Sequence, residues 1–471
     1  MNAEILLSGK IVDRVERKYI INPYSKQETS SYPICSRLDA ENALFAAQKG
    51  SKVIKNTPLS QRIDWLLDSA KYLGEHKDRY AKIITDEVAK PIKFARAEVD
   101  RAIETIKLSA LYASNLSGET IPTDIMPSGF KTHSYYKRVP VGVVGAITPF
   151  NFPLNLVAHK IAPALVMGNA IVLKPSPEAP MCGYALLEAF LSSSHSVKEA
   201  INIVYGDAEV GSEIVSSEIP RVVSFTGSVS VGEIITKNAG IKKLSLELGG
   251  NAATYIESSA NIENAAKRCA LGAFINSGQV CISLQRIYVD EAIYDEFADA
   301  FRAETSLLKV GSPYEEDTFL SSLIHDDAQH RALEWIESAK SEGAKVLHGG
   351  KITDKTLEPT IMGDVIDSMS VVCEEVFAPI VSLIKVKNYD DALPKINNSP
   401  YGLQFSMFSN SLELTKRAID DFECGGVVIN DMPTLRFDAQ PYGGVKYSGI
   451  GKEGPLFAME EFTEIKSVVI V

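Results

Sequence analysis

"IAPALVMGNAIVLKPS", residues 161–176, joins a helix to a strand and is the unit from which the fold can be worked out. The residues up to Met167 favour a helix, Gly168-Asn169 is a helix-stop signal, and residues 170–173 form a short apolar strand that ends at Lys174. The segments "INIVYG" (201–206) and "RVVSFTGS" (221–228) predict further buried strands, with helical stretches such as "CGYALLEAFLSS" (182–193) between them. Strands that alternate with helices indicate a parallel α/β sheet, in which ligands bind beyond the carboxyl ends of the strands.

The segments before this unit predict strands followed by a long helix. "ILLSGKIV" (5–12) and "KYIINPYS" (18–25) are typical of short strands, and "THSYYKRVPVGVVGAIT" (132–148) predicts strand with a turn at Pro140. Residues 97–113 predict a helix whose apolar stripe packs into the core; the stripe consists of Val99, Ala102, Ile103, Ile106, Ala110 and Ala113.

The second half of the chain repeats this alternation and predicts a second α/β domain. "AATYIES" (252–258), "RIYVD" (286–290), "VSLIKV" (381–386) and "GGVVIND" (425–431) favour strands, whereas 262–278 and 293–309 favour helices. The chain closes on the apolar strand "FTEIKSVVIV" (462–471), which must pair with another strand, and the edge of another subunit's sheet is one candidate.

Composition limits the function classes. The 471 residues are 45% hydrophobic and 23% charged, as in a globular protein of two or three domains. A net charge of −12 argues against a general partner for nucleic acid or an anionic membrane. No signal peptide or transmembrane segment is visible, and six cysteines without a CxxC motif predict free thiols in the cytoplasm. Because His325 and His330 have no Cys/His cluster beside them, they predict surface histidines and no metal site.

Three residues could carry chemistry, and each has a simpler alternative. Cys281, after Ser277-Gly278, could be a nucleophile presented in a cleft or a buried small apolar residue. Glu247, in an apolar run before Gly249-Gly250, could be a buried carboxylate with a raised pKa or an edge-strand glutamate that faces water. Asn151, fixed between two prolines, could donate to developing negative charge or cap the helix that starts near Leu154.

Together these residues lie in motifs that resemble the aldehyde dehydrogenase superfamily from end to end. The motifs are "PFNFP" (149–153), "GNAIVLKPS" (168–176), "FTGSVSVG" (225–232), "LELGGN" (246–251), "GQVC" (278–281), "EEVFAPI" (374–380) and "PYGGVKYSGIGKEG" (441–454). The resemblance implies the family's α/β fold. Its parts would be a Rossmann-type cofactor domain (1–117 and 139–248), a catalytic α/β domain (249–454), and a small β element for oligomerisation (the hairpin 118–138 and the strand 455–471).

The resemblance also implies an NAD(P)-dependent aldehyde oxidation. Cys281 would attack the aldehyde, Asn151 and the Cys281 backbone N–H would stabilise the oxyanion, and Glu247 would activate the water that hydrolyses the thioester. Lys174 would contact the adenosine ribose, Ser228 the pyrophosphate, and Glu375 with Phe377 the nicotinamide ribose and ring. The full implied cofactor site is Thr148, Pro149, Phe150, Lys174, Ser176, Pro177, Gly206, Phe225, Thr226, Gly227, Ser228, Leu248, Gly249, Glu375 and Phe377.

Two features bear on cofactor and substrate. Pro177 stands where many NAD-preferring members have Glu; without that carboxylate, NADP should be tolerated or preferred. The segment "NDMPTLRFDAQPYGG" (430–444) resembles the branch that includes lactaldehyde dehydrogenases, so a small hydroxyaldehyde such as lactaldehyde is the expected substrate. Arg436 could hold the substrate's polar group or could form a surface or intersubunit ion pair.

Two rival functions remain open at this point. A CoA-acylating enzyme of the same family would often lack the glutamate of "LELGG", and a non-catalytic binding protein would have lost Cys281, Glu247 or Asn151. The presence of Glu247 favours hydrolysis to a free acid, and the presence of all three residues argues against a non-catalytic protein. A homodimer or homotetramer is expected.

Overall fold

The alternation of helices and strands is reproduced in a computed structural model that describes residues 1–471. Up to residue 247, the elements are β1 (Ile5–Leu7), β2 (Lys10–Val12), β3 (Arg17–Ile21), β4 (Glu28–Pro33), α1 (Arg37–Asn56), α2 (Leu59–Glu75), α3 (Lys77–Val88), α4 (Ile92–Tyr112), β5 (Thr120–Ile121), β6 (His133–Pro140), β7 (Val143–Ile147), α5 (Asn155–Val166), β8 (Ala170–Lys174), α6 (Pro180–Ser192), β9 (Ile201–Ile203), α7 (Ala208–Ser216), β10 (Val222–Thr226), α8 (Val229–Asn238) and β11 (Lys243–Glu247).

The remaining elements follow the same pattern. They are β12 (Ala252–Ile256), α9 (Ile262–Phe274), β13 (Leu284–Asp290), α10 (Tyr294–Ser306), α11 (Asp326–Ser341), β14 (Lys345–His348), β15 (Ile352–Thr353), β16 (Thr356–Leu357), β17 (Thr360–Gly363), α12 (Ser370–Cys373), β18 (Ile380–Val386), α13 (Tyr389–Asn397), β19 (Tyr401–Gly402), β20 (Gln404–Phe408), α14 (Leu412–Asp421), β21 (Gly426–Ile429), β22 (Val445–Lys446), β23 (Gly449–Ile450), α15 (Pro455–Glu461) and β24 (Thr463–Ile470).

Two large sheets organise the chain. The first has the order β2-β1-β9-β8-β7-β10-β11-β23, and its five central strands run parallel. The second has the order β14-β17-β18-β13-β12-β20-β21, and only its edge strand β14 is antiparallel. The parallel sheets predicted from the sequence are therefore confirmed in both halves. None of the helices is both long enough and apolar enough to span a bilayer.

Local predictions are confirmed with two differences. The apolar stripe of α4 is buried as expected, from Val99 to Ala113. The helix predicted over 262–278 ends at Phe274, because Asn276 and Ser277 adopt left-handed backbone angles (φ 51° and 55°) that cannot continue an α-helix. The terminal strand β24 pairs with β6 of its own chain along its whole length, so one of its two edges is already occupied.

Candidate active site

One cavity of about 830 Å³ lies where the two large sheets meet. Its walls include residues that follow the carboxyl ends of parallel strands, as α/β folds require: Thr148 after β7, Ser176 after β8, Gly227 after β10 and Leu248 after β11. We call the part around Lys174, Ser176 and Ser228 the cofactor end and the part around Asn151, Glu247 and Cys281 the reaction end. All the predicted site residues line this cavity except Gly206, which lies outside its walls. Its neighbour Asp207 and the α7 residue Gly211 do line the cavity.

Cys281 reaches the reaction end through a tight turn. After α9, the left-handed residues Asn276 and Ser277 lead into Gly278 (φ 72°), where any Cβ would collide with the carbonyl oxygen of Ala378. The thiol is half-buried in the cavity wall, and its Sγ lies 2.9 Å from the hydroxyl of Tyr442. Burial raises the pKa of Cys281 to about 12, against the lowering effect of the Tyr442 hydroxyl. Because Cys281 lines the cavity and is only half-buried, it is not enclosed in the core, whereas its role as a nucleophile stays a prediction.

Asn151 lies in the cavity wall next to the turn and is hydrogen-bonded to it. Its side-chain nitrogen donates to the carbonyl oxygen of Gln279 at 3.0 Å, two residues before the thiol, and one of its two N–H donors stays available. Asn151 does not cap α5. The Glu98 carboxylate does so instead, accepting from the backbone nitrogens of Leu154 (2.9 Å) and Asn155 (3.2 Å). The alternative of a helix cap is therefore wrong for Asn151.

A buried ion pair fixes the loop that carries Asn151. Lys90 and Glu98 are both almost fully buried and contact each other directly. The Lys90 ammonium also donates to the Asn151 carbonyl oxygen at 2.7 Å. Because Glu98 binds the start of α5 and Lys90 binds the loop before it, the pair holds Asn151 from both sides. No sequence pattern predicts this pair, because Glu98 lies in α4 and Lys90 lies in the turn that precedes it.

Glu247 is a buried carboxylate without a hydrogen-bond partner. It is the last residue of β11, which is flanked by β10 on one side and β23 on the other. Glu247 is 3% exposed and neither of its carboxylate oxygens accepts a hydrogen bond. The alternative of an edge-strand glutamate facing water is wrong, because β23 covers that edge. Burial first, and then the nearby charge of Glu453, raises the pKa of Glu247 well above its usual value.

A cluster of buried charges surrounds the reaction end. Arg436 donates to the Glu453 carboxylate at 2.7 Å, and its guanidinium lies over the ring of Tyr442 at 3.8 Å from the centroid. Lys160 lies 3.6 Å from the other Glu453 oxygen. Although burial alone would raise the pKa of Glu453, the neighbouring His159, Arg436 and Lys160 lower it to about 2. The alternative of a surface or intersubunit ion pair is wrong for Arg436, because its partner belongs to the same chain and both are buried.

A second arginine enters this cluster from α4. Arg101 forms a bidentate ion pair with Asp438, with N–O distances of 2.6 and 3.0 Å. His159 contacts the same carboxylate at 2.9 Å. Arg101 lines the cavity, as do Arg436, Tyr442 and Glu453. The motif "PYGGVKYSGIGKEG" contains Tyr442 and Glu453, but nothing in its pattern indicates that these two side chains reach the thiol and Arg436.

The cofactor end fits an anionic dinucleotide. Helix α8 begins at Ser228, whose Oγ accepts from the Val231 backbone at 3.4 Å, and helix N-termini attract phosphate. An added Cβ would collide with the Phe225 ring at Gly227 and with the Glu375 carboxylate at Gly249. Both positions of the cavity wall therefore require glycine. The hydroxyls of Thr148 and Thr226 are buried without a partner. The buried ammonium of Lys174 lies at the end of β8, where burial lowers its pKa.

Glu375 and Phe377 join the two ends of the cavity. Glu375 accepts from the Gly250 backbone at 3.0 Å, and burial raises the pKa of its carboxyl to about 7. The ring of Phe377 meets the ring of Phe150 edge to face, with 6.0 Å between centroids. These side chains lie in the wall between Lys174 and Cys281, where the resemblance places the nicotinamide.

Sequence reasoning missed Glu178. Pro177 lacks an acidic group, but the next side chain supplies one, because the Glu178 carboxylate turns back to the Ser176 hydroxyl and lines the cavity. His325, from the start of α11, lies 3.3 Å from the other oxygen of Glu178. The cofactor end therefore contains a carboxylate close to the ribose-binding residues predicted from "VLKPSP".

The chain matches the model of the aldehyde dehydrogenase family over residues 12–468. A lactaldehyde dehydrogenase from Methanococcus aeolicus is 42% identical over 470 residues, covering 99% of each chain. A 3-sulfolactaldehyde dehydrogenase from Priestia aryabhattai is 38% identical over 468 residues, covering 99% of this chain and 97% of the relative.

A solved structure shares the fold. It is the glyceraldehyde-3-phosphate dehydrogenase GapN from Methanocaldococcus jannaschii in complex with NADP, with a TM-score of 0.93 and 40% identity, covering 98% of this chain and 100% of the other. The match spans both large sheets, so the fold expected from the motifs is confirmed.

Proposed function

We infer that this chain, which belongs to the aldehyde dehydrogenase family, oxidises a small hydroxyaldehyde such as lactaldehyde to the carboxylic acid with NAD or NADP. The observation that carries the inference is the convergence of the Cys281 thiol, the Asn151 amide and the unpartnered Glu247 carboxylate on one cavity. The substrate class is supported by relatives named for lactaldehyde and 3-sulfolactaldehyde.

The first step is attack of the Cys281 thiolate on the aldehyde carbon, which forms a thiohemiacetal. The charge that develops on the former carbonyl oxygen is stabilised by the free N–H of the Asn151 amide and by the Cys281 backbone N–H. Because Lys90, Glu98 and Gln279 already fix Asn151, its donor needs little reorganisation during the reaction. NAD(P)⁺ bound at the cofactor end would supply a hydride acceptor, and loss of the hydride from the substrate carbon would leave a thioester to Cys281.

Glu247 completes the cycle by hydrolysis. An unpartnered carboxylate with a raised pKa is a suitable general base, because the raised pKa means that it accepts a proton more readily than an ordinary carboxylate does. It takes a proton from a water molecule that attacks the thioester; the C–S bond then breaks and the acid leaves. Arg436 and Lys160 oppose the rise in the pKa of Glu247.

The cofactor is held by backbone and a few side chains. We propose that the adenosine ribose would be held by Lys174 and Ser176, and the pyrophosphate by Ser228 and the start of α8. The nicotinamide would be held by Glu375 and Phe377. No acidic side chain stands at 177, which admits a 2′-phosphate, while Glu178 adds a carboxylate beside it. We therefore expect both cofactors to be used, with a preference that depends on Glu178.

The third sheet supports a homodimer or homotetramer. In the order β24-β6-β5, one edge of β24 is paired and its other edge is free, and the strand also carries exposed apolar side chains, among them Ile465 and Val469. We place the oligomerisation element at 118–138 and 455–471, the cofactor domain at 1–117 and 139–248, and the catalytic domain at 249–454. Six free cysteines are compatible with a cytoplasmic location.

The decisive experiment measures NAD and NADP reduction by the purified chain over a panel of aldehydes, with and without CoA. The panel contains lactaldehyde, glycolaldehyde, succinic semialdehyde, glyceraldehyde 3-phosphate and an aromatic aldehyde. We expect turnover without CoA, highest for the small hydroxyaldehydes and abolished by Cys281→Ala. Cys373→Ala, at an exposed cysteine, is the matched control and should keep full activity. Turnover that requires CoA would replace hydrolysis by acyl transfer, and a succinic semialdehyde preference would replace the substrate class.

A further inference from the structure

The hydroxyl of Tyr442 contacts the reactive sulfur directly. It lies 2.9 Å from Cys281 Sγ, while the face of the same ring is covered by the Arg436 guanidinium at 3.8 Å from the centroid. Arg436 is in turn held by Glu453 at 2.7 Å. Tyr442 is 6% exposed, so its ring has little freedom to leave the sulfur. The hydroxyl has no other hydrogen-bond partner.

The direction of this hydrogen bond follows from the chemistry of the two groups. A phenol is a good donor, whereas a thiol is a weak one and a thiolate can only accept. Burial raises the pKa of Tyr442 well above its usual value, which favours the protonated phenol. The donor is therefore Tyr442 once Cys281 ionises, and a hydrogen bond to a charged acceptor favours the charged form.

We propose that Tyr442 is a catalytic hydrogen-bond donor that stabilises the Cys281 thiolate and holds it in the cavity before the aldehyde arrives. The proposal rests on the proposed role of Cys281 as nucleophile. When the sulfur bonds to the substrate carbon it loses its negative charge, and the hydrogen bond weakens. Tyr442 thus acts on the resting thiolate, whereas Asn151 acts on the oxyanion that forms later.

Other groups that act on the same sulfur have to be separated from Tyr442. Glu375 and Glu247 disfavour the thiolate by their charge, and Arg436 favours it. The substitution Tyr442→Phe removes only the hydroxyl and leaves the ring that Arg436 covers, so these three charges stay in place. Tyr447→Phe, at an exposed tyrosine five residues later, is the matched control.

The test measures alkylation of Cys281 by iodoacetamide over a pH series, without aldehyde or cofactor. Mass spectrometry of the peptide that contains Cys281 separates it from the other cysteines. We expect Tyr442→Phe to react about tenfold more slowly at neutral pH, with the midpoint of the pH profile raised by about one unit. Tyr447→Phe should match the unchanged protein. In aldehyde turnover, kcat should fall with little change in KM.

Two results would overturn the proposal: an unchanged alkylation profile in Tyr442→Phe, or faster alkylation, which would mean that the hydroxyl restrains the sulfur. If Tyr442→Phe does not fold, 3-fluorotyrosine at position 442 provides the second variant. Its more acidic phenol should speed alkylation, and no change or slower reaction would contradict the proposal. Because the assay uses no aldehyde, its outcome is independent of the proposed substrate. Turnover that survives Cys281→Ala would instead overturn the proposed function.

Discussion

The cofactor end and the reaction end of the same cavity differ in composition: backbone groups line the first, and buried charged side chains line the second. At the cofactor end, the walls are glycines, the first turn of α8 and the ends of parallel strands, with Lys174 as a single buried cation. At the reaction end, Lys160, Arg436, Glu453 and Glu247 are all buried within one cluster. The first end binds through backbone geometry, and the second acts through charges that shift one another's pKa values.

This difference explains which carboxylate can serve as the base. Glu453 is partnered by Arg436, and its pKa falls to about 2. Glu247 has no partner, and its pKa rises well above the usual value. Two buried carboxylates in one cluster thus have opposite protonation behaviour, because only one of them is hydrogen-bonded to a cation. The paired one stays ionised, and the orphaned one can accept a proton.

The largest expected effect comes from substitution of Glu247, the carboxylate without a hydrogen-bond partner that we propose as the general base. Glu247→Gln keeps the shape but cannot take a proton, so steady-state kcat should fall by about 10²- to 10⁴-fold. The first turnover should still produce one equivalent of reduced cofactor per active site, because the acyl group accumulates on Cys281. Stopped-flow absorbance of the reduced cofactor measures both phases.

The matched control for this burst is Glu461→Gln, at a partly buried glutamate outside the cavity. Both phases should be unchanged in the control. Loss of the burst itself in Glu247→Gln would mean that Glu247 deprotonates the thiol and does not act mainly on water.

Removing the charge of Glu453, the paired carboxylate, should shift the pH dependence of kcat. For Glu247 to act as a base it must first lose its proton, so kcat should rise with pH through its pKa. Glu453→Gln removes the negative charge that helps raise this pKa and leaves Arg436 and Lys160 uncompensated. Both changes lower the pKa of Glu247, so the rise in kcat should move to lower pH by about one unit or more.

The pH profile of kcat in the hydrolytic step, measured with lactaldehyde at saturating cofactor, checks this direction. A shift to higher pH, or none, would mean that Glu453 does not set the pKa of Glu247. Unfolding curves for Glu453→Gln must accompany the profile, because the substitution leaves Arg436 without its buried partner.

The cofactor end is encoded in contiguous sequence patterns to a greater extent than the reaction end, for a physical reason. Binding by backbone needs glycines and strand ends at short spacings, and "GNAIVLKPS" and "FTGSVSVG" preserve these as contiguous patterns. The parallel sheets also follow from local alternation. The left-handed turn at Asn276 and Ser277 was missed, because these two residues lie inside a stretch whose apolar spacing predicts a continuous helix.

The reaction end depends on contacts between residues far apart in the chain. The Tyr442 hydroxyl contacts Cys281, and Lys90 donates to the Asn151 carbonyl. Local sequence patterns cannot predict contacts between residues so far apart in the chain. Arg436 was identified as a candidate from its segment alone, but its partner Glu453 and the stacking on Tyr442 come only from the fold. Individual residues were therefore predictable, whereas the charges that tune them were not.

The smallest expected effect concerns Glu178 at the cofactor end, where we propose that a charged side chain, and not the backbone, influences the choice between NAD and NADP. Glu178 lies beside Ser176 and is partly exposed, so its repulsion of a 2′-phosphate is screened by solvent. Glu178→Gln should raise the ratio of kcat/KM for NADP to that for NAD by about fivefold, the equivalent of about 1 kcal/mol for a solvent-screened charge pair. The gain should shrink as salt is added. Glu188→Gln, a partly exposed glutamate paired with Arg79 outside the cavity, should leave the ratio unchanged. An unchanged ratio in Glu178→Gln would mean that the missing carboxylate at 177 alone determines which cofactor is used.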